Sequence, residues 1–274
     1  MNCFSAQTRI RIGASACLVV LISASICRAQ NSVPNPAQEL NQRATLERMD
    51  DANRAADRAY GEFQAVKPQD VDKKIKLGRA FLNDYPTSQY AEPVAVSLTN
   101  AYYEKQDWTN FFATADRALV LSPDEADVLL TVSWVTPHVL SPNAPDAAKQ
   151  LDKAEAYAKR AIPLLAMLPK PAGMSDAQYG DFKNNKLIQA HSALGLVYFR
   201  RHDFENSVKE LEQSTQGNAS PDPTDLYVLG MSLENLGRYR EAMDAYDRCS
   251  QISGGPQDQC KQRSVGVQGK LAQK

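Results

Sequence analysis

An ordered set of residues occurs twice in this chain at one displacement, and that recurrence restricts the fold more than any other feature. Leu194-Gly195, Tyr198, Phe204, Ser207 and Leu211 return 35 residues later as Leu229-Gly230, Leu233, Tyr239, Ala242 and Tyr246. Self-similarity at such a period marks a unit that cannot bury its apolar face alone and is completed by stacking a neighbour. The residue types suit a helical hairpin. Glycine lets the second helix approach the first, the aromatic after the turn fills the space beside it, and the small Ser207 or Ala242 sits where the helices cross.

The rest of the chain reads as helical too. Apolar residues recur three and four apart between proline and glycine punctuation, and few stretches alternate with period two. The spacing predicts helices over 40–64, 70–84, 90–104 and 108–121, a fifth reaching Val139, and an alanine-rich sixth from Asp146 to Leu168. Four more cover 183–200, 204–216, 223–236 and 239–251, followed by a terminal helix or frayed tail at 257–272. Asp70 is placed to cap the second helix. The longest irregular stretch lies between Pro169 and Asp181, and a shorter loop runs from Ser141 to Pro145.

These residues resemble the tetratricopeptide repeat. The leucine-glycine pair, first-helix aromatic position, post-turn aromatic and second-helix alanine of that motif correspond to Leu229-Gly230, Leu233, Tyr239 and Ala242. In the preceding repeat they correspond to Leu194-Gly195, Tyr198, Phe204 and Ser207, with a closing Pro221. An earlier repeat falls at 92–125, with Leu98, Thr99, Tyr102, Trp108, Ala115, Ala118 and Pro123; its Phe111 stands where a small residue is usual. The pair over 126–168 matches loosely, through Ala154, Ala158 and Ala161, and carries two insertions. The resemblance implies an all-α, right-handed α–α superhelix over 40–272, clearest at 92–125, 188–221 and 223–256. The phrase from Phe81 to Ala91 is similar to a turn of exported repeat proteins of the bacterial envelope, although the lipid-anchor cysteine of such lipoproteins is absent.

Export is also what the N-terminus suggests. Arg9 and Arg11 precede an apolar run from Gly13 to Ile26, and small residues follow up to Ala29, the order of a secretory signal peptide. The expected cleavage after Ala29 leaves a polar leader, 30–39, and a chain of 245 residues in the periplasm or outside the cell. No other run is apolar enough to span a membrane. Removing 1–29 leaves 28 basic residues against 32 acidic ones, a balance unlike the basic patch of a nucleic-acid binder. Cys249 and Cys260 survive cleavage. In an oxidising compartment they can close a disulfide around Gly254 and Gly255; otherwise Cys249 is a buried apolar residue and Cys260 a surface thiol.

In the resembled family, first helices line a concave groove that takes peptides. Carried over, the groove positions are Asn100, Tyr103 and Glu104, then Leu196, Phe199 and Arg200, then Tyr227, Met231, Glu234 and Asn235. Leu196, Phe199 and Met231 can equally pack repeats together, and Arg200 and Arg201 can pair with a carboxylate or end a helix favourably against its dipole. His191 reads as a packed core residue, and His138 and His202 belong to no metal-binding pattern. No nucleophile has a base and an orienting group in a recognisable motif. The expectation is a noncatalytic scaffold, without cofactor or metal, that binds a protein or peptide. The alternatives are a structural or self-associating chain whose groove is filled internally or by another copy, and an enzyme with an unrecognised site.

Overall fold

The computed structural model describes residues 36–272, so the signal-like segment, its cleavage after Ala29 and the leader up to 35 lie outside the described residues. Eleven helices are present among the described residues: α1 (Pro36–Gln64), α2 (Val71–Asp84), α3 (Ala91–Glu104), α4 (Trp108–Leu121), α5 (Ala126–Val139), α6 (Ala147–Ala166), α7 (Asp176–Arg200), α8 (Phe204–Thr215), α9 (Pro223–Asn235), α10 (Tyr239–Ser250) and α11 (Gln257–Leu271). Two units divide the chain after Ala52. Within the first, the opening of α1 is polar, with Leu40, Leu46 and Met49 exposed. The second, Asn53–Lys274, holds the stacked hairpins in a superhelical arrangement.

In that unit α3 pairs with α4, α5 with α6, α7 with α8 and α9 with α10, while α2 packs on α3 and α11 closes on α10. Gly195 and Gly230 show why the hairpins close. A methyl group on Gly195 would lie 2.5 Å from Leu211 Cγ, and one on Gly230 would lie 2.5 Å from Tyr246 Cε1. At the crossing, the buried Ser207 hydroxyl is 2.9 Å from both the Gly195 carbonyl and the Ser232 hydroxyl. Thr99 and Ser133, both fully buried, occupy the corresponding small-residue register in α3 and α5. Phe111, the bulky departure in the 92–125 repeat, is also fully buried, with its ring edge-on to Trp108 and Phe112.

The turns inside three hairpins are built alike. Asp107 N–H donates to the Tyr102 carbonyl, Asp203 N–H to Tyr198 and Arg238 N–H to Leu233, at 3.0, 3.0 and 2.9 Å. Each reaches back five residues across a left-handed residue, Gln106, His202 or Gly237, with φ of 54°, 61° and 72°, the bond pattern of a Schellman cap. The next helix is then started by Asp107 or Asp203, whose carboxylates accept from the backbone of Asn110 and Asn206.

Two boundaries differ from the sequence reading. Helix α1 begins at Pro36, a favoured residue in the first turn because its missing N–H needs no partner there. Helix α7 begins at Asp176 rather than near 183, which shortens the irregular stretch. The cause is a reciprocal cap: Ser175 Oγ accepts from Gln178 N–H at 3.3 Å, and Gln178 Oε1 accepts from Ser175 N–H at 2.9 Å.

Helix α11 is fastened to the last hairpin. Cys249 and Cys260, both buried, are joined in a disulfide with their Cα atoms 6.0 Å apart. Val267 is buried beside them, and Lys270 donates to Glu234 Oε1 at 2.8 Å. Reduction should remove the restraint that this short loop places on the unfolded chain. A loss of about 2 kcal/mol is expected, measured by urea unfolding with and without dithiothreitol.

Candidate peptide-binding face

The first helices of the hairpins, α3, α5, α7 and α9, carry the groove positions, and the structure divides these into an open and a closed part. Tyr103 stands at the open part. Its ring meets Trp108 at 6.1 Å and Trp134 at 6.5 Å, both edge-on. With His138, Val139 and Glu104 these rings line a hollow of about 350 Å³ between the last turns of α3 and α5 and the start of α4. Asn100 is exposed and lines a second hollow of about 210 Å³ against Val71 and Lys74 of α2; Glu104 borders both.

His138 lies against Trp134 with centroids 4.2 Å apart and the rings tilted by 37°, and its Nδ1 lies 2.6 Å from the Trp134 carbonyl oxygen. Loss of hydration pushes its pKa below the ordinary imidazole value; the hydrogen bond to Trp134 and the charge of Asp222 oppose that shift, and the nearby Arg200 guanidinium reinforces it. The ring is therefore neutral at pH 7, with Nδ1–H donating to the carbonyl.

The remaining candidates are more committed to packing. Leu196 is 7% exposed, and Phe199, Tyr227 and Met231 are half-buried against the core shared by the last two hairpins. Arg200 donates from Nε and Nη2 to the Pro137 carbonyl at 3.0 and 2.6 Å, satisfying an acceptor at the end of α5. Arg201 binds Asp152 and Glu155 of α6, so neither arginine is a freely solvated helix end. Asn235 is exposed and donates to the Met231 carbonyl at 2.8 Å. Glu234 is taken up by the chain itself, accepting from Tyr246 at 2.9 Å and from Lys270, with Arg263 at 3.3 Å. Burial disfavours its charge, but these donors win and hold its pKa below the usual carboxylate value. Tyr227 is half-buried, its ring tilted at 6.1 Å from that of Tyr246.

The structure thus gathers Leu196, Phe199, Tyr227 and Met231 into one core, while Asn100 and Tyr103 border neighbouring hollows joined by Glu104. Trp134 and His138 were missed by sequence reasoning. Setting Ser133 in register with Gly195 and Gly230 would have found them, because Trp134 then aligns with Leu196 and Met231, and His138 with Arg200 and Asn235.

Other polar side chains are structural. His191 Nδ1 is 2.8 Å from Glu210 Oε2. Glu155 ties α6 to α7: burial works against its charge, but hydrogen bonds from Lys159, Arg201 and Tyr198 lower its pKa to about 2. Among the described residues no group of three or more histidine, cysteine, aspartate or glutamate side chains is placed to hold a metal ion. Among the same residues no helix is long and apolar enough to cross a membrane.

The comparison with known families agrees with this architecture. A tetratricopeptide repeat model matches residues 226–255, the stretch that contains α10 and nearly all of α9. No curated protein matches the chain. Among solved structures, a thermophilic tetratricopeptide protein of Thermus thermophilus is similar at 14% identity, covering 80% of this chain and 97% of that one, with a TM-score of 0.45. PilW, a widely conserved type IV pilus biogenesis factor, is similar at 13% identity, covering 80% and 91%, with a TM-score of 0.47. The last hairpin, which Gly230 allows to close, matches the tetratricopeptide repeat, and the hairpins stacked before it are built in the same repeat-like way.

Proposed function

We propose that this chain is a noncatalytic scaffold that holds a peptide or a segment of another protein on the face formed by its first helices, in the periplasm or outside the cell. An all-helical solenoid of this kind is typical of protein-interaction scaffolds. The observation that carries the reading is the aromatic hollow at the ends of α3 and α5, where Tyr103, Trp108 and Trp134 remain only half-buried. Aromatic side chains that keep open surface in a concavity are the usual anchors of recognition. The bound segment runs past Asn100 and Tyr103 towards Phe199, Arg200, Met231 and Asn235, with Leu196 and Tyr227 packed beneath it. The signal-like N-terminus supports export, and the Cys249–Cys260 bond suits an oxidising compartment.

The internal-filling alternative has one observation in its favour, confined to the α9 end: Arg263 and Lys270 of α11 engage Glu234. Co-purification from envelope extract after gentle crosslinking tests the scaffold reading. A partner recovered with the parent chain and lost with a Tyr103→Ala variant of unchanged circular dichroism is the expected result. Equal recovery with both proteins would remove Tyr103 from the binding face.

A further inference from the structure

Both tryptophans of the chain line the same hollow. Their rings and that of Tyr103 are inclined by 65° and 60°, so they stand as walls around the space rather than stacking to fill it. An aromatic face carries negative electrostatic potential and attracts a cation laid against it. The exposed Glu104 stands at the rim, and its carboxylate makes no hydrogen bond or ion pair within the described residues.

We propose that this hollow receives the lysine or arginine side chain of a basic partner segment, its aliphatic stem against Tyr103, Trp108 and Trp134 and its charge against Glu104. The inference rests on the scaffold reading above and adds the chemistry of one position. No lysine or arginine lines the hollow. Lys105, next to Glu104, is paired with Asp72 at 2.9 Å. Arg200, the cation felt at His138, is held on the Pro137 carbonyl and does not border the space. His138 adds no positive charge at pH 7, for the reason given above.

Charge also separates this position from its equivalents along the face. In the register set by the small residues, Glu104 corresponds to His138, Arg200 and Asn235, so it is the acidic member of the row. An apolar side chain in the hollow would draw water away from the Glu104 carboxylate without replacing its hydrogen bonds, whereas a basic one supplies a partner. A peptide carboxylate would be repelled.

The test uses the full chain, whose intrinsic tryptophan fluorescence reports this hollow alone. Blocked pentapeptides identical except for a central arginine, citrulline, norleucine or glutamate are titrated up to about 10 mM. The arginine peptide is expected to shift the emission with an affinity about fivefold or more above that of the citrulline peptide, and the glutamate peptide to leave it unchanged. Glu104→Gln, an exposed substitution, should weaken the arginine peptide about threefold and leave the norleucine peptide unaltered. Norleucine binding as well as arginine would overturn the proposal while preserving an apolar subsite on a binding face. No response to any peptide would also overturn it, and the scaffold reading would then stand or fall on capture of a partner through the neighbouring Asn100.

Discussion

Replacing Gly230 by alanine is expected to lower the unfolding free energy by about 3 kcal/mol, at the upper end of the cost of overpacking a filled core. The new methyl group would lie 2.5, 2.6 and 2.8 Å from three atoms of the Tyr246 ring. That ring is fully buried, and its hydroxyl is held by Glu234 at 2.9 Å, so it cannot swing aside without breaking a part-buried bond. Gly195→Ala meets Leu211 at 2.5 Å, a side chain with more rotamer freedom, and its loss should be somewhat smaller. Gly61 in α1 has nothing within 4 Å of an added methyl, so alanine there should stabilise by about 0.5–1 kcal/mol through helix propensity. Urea unfolding of the three variants checks the order. A neutral or stabilising Gly230→Ala would mean that the last hairpin does not close as tightly as described.

The second large effect concerns Asp225. It is 2% exposed, and its carboxylate accepts from the hydroxyls of Ser192 and Ser214, each at 2.8 Å; among the described residues no cation is paired with it. Burial, reinforced by the charge of Asp222, raises its pKa to about 6 against the opposing serine bonds. Ser214 also approaches the Leu211 carbonyl at 3.1 Å, and its single hydroxyl proton cannot serve both acceptors. A protonated Asp225 resolves this by donating to Ser214 Oγ, which then donates to Leu211.

The sign follows from linkage. A carboxyl whose pKa is raised by folding binds its proton more tightly in the native state, so stability falls as pH rises through the window from about 4 to about 6 and is constant above it. The full shift corresponds to about 3 kcal/mol, and the positive end of the α9 dipole already acts to favour the charged form. Asp225→Asn should therefore match the parent near pH 4 and exceed it by about 2–3 kcal/mol at pH 7. Glu155, whose pKa is lowered to about 2, loses its contribution below the usual carboxylate range in both proteins and cancels from the comparison. A parent-to-variant difference that does not change with pH would contradict this account of the buried carboxyl.

The limits of legibility have physical causes. The hairpins of α7 to α10 were readable because glycine at 195 and 230 leaves few alternatives: only a residue without a side chain fits against Leu211 and Tyr246. In α3 and α5 the same register is held by Thr99 and Ser133, which turn their hydroxyls back to the Ala95 and Leu130 carbonyls. Leu98 and Tyr102 around Thr99 still made the α3 register readable, whereas Ser133 stands between Val132 and Thr136 at the matching positions, so the α5 register, and with it Trp134, stayed hidden. Asp225 was equally unreadable, since an acid in the first turn of a helix ordinarily faces water; what buries it is Ser192 of α7 and Ser214 of α8. The start of α7 was missed for a local reason, the Ser175–Gln178 cap inside a segment rich in proline and glycine. The groove positions transferred along the repeat assume that each first helix is open, and at the end of α9 the side chains of Arg263 and Lys270 from α11 take up Glu234.

The central claim is that a partner segment lies on the first-helix face near the α3–α5 end. Site-specific photo-crosslinking tests it most directly, with the reactive side chain placed at the exposed Asn100 of α3 or at Val120 of α4, which is 80% exposed. The account predicts that the position-100 probe captures a discrete partner which the position-120 probe does not, and that excess unlabelled chain competes the capture away. Capture from position 120 with none from position 100 would contradict it.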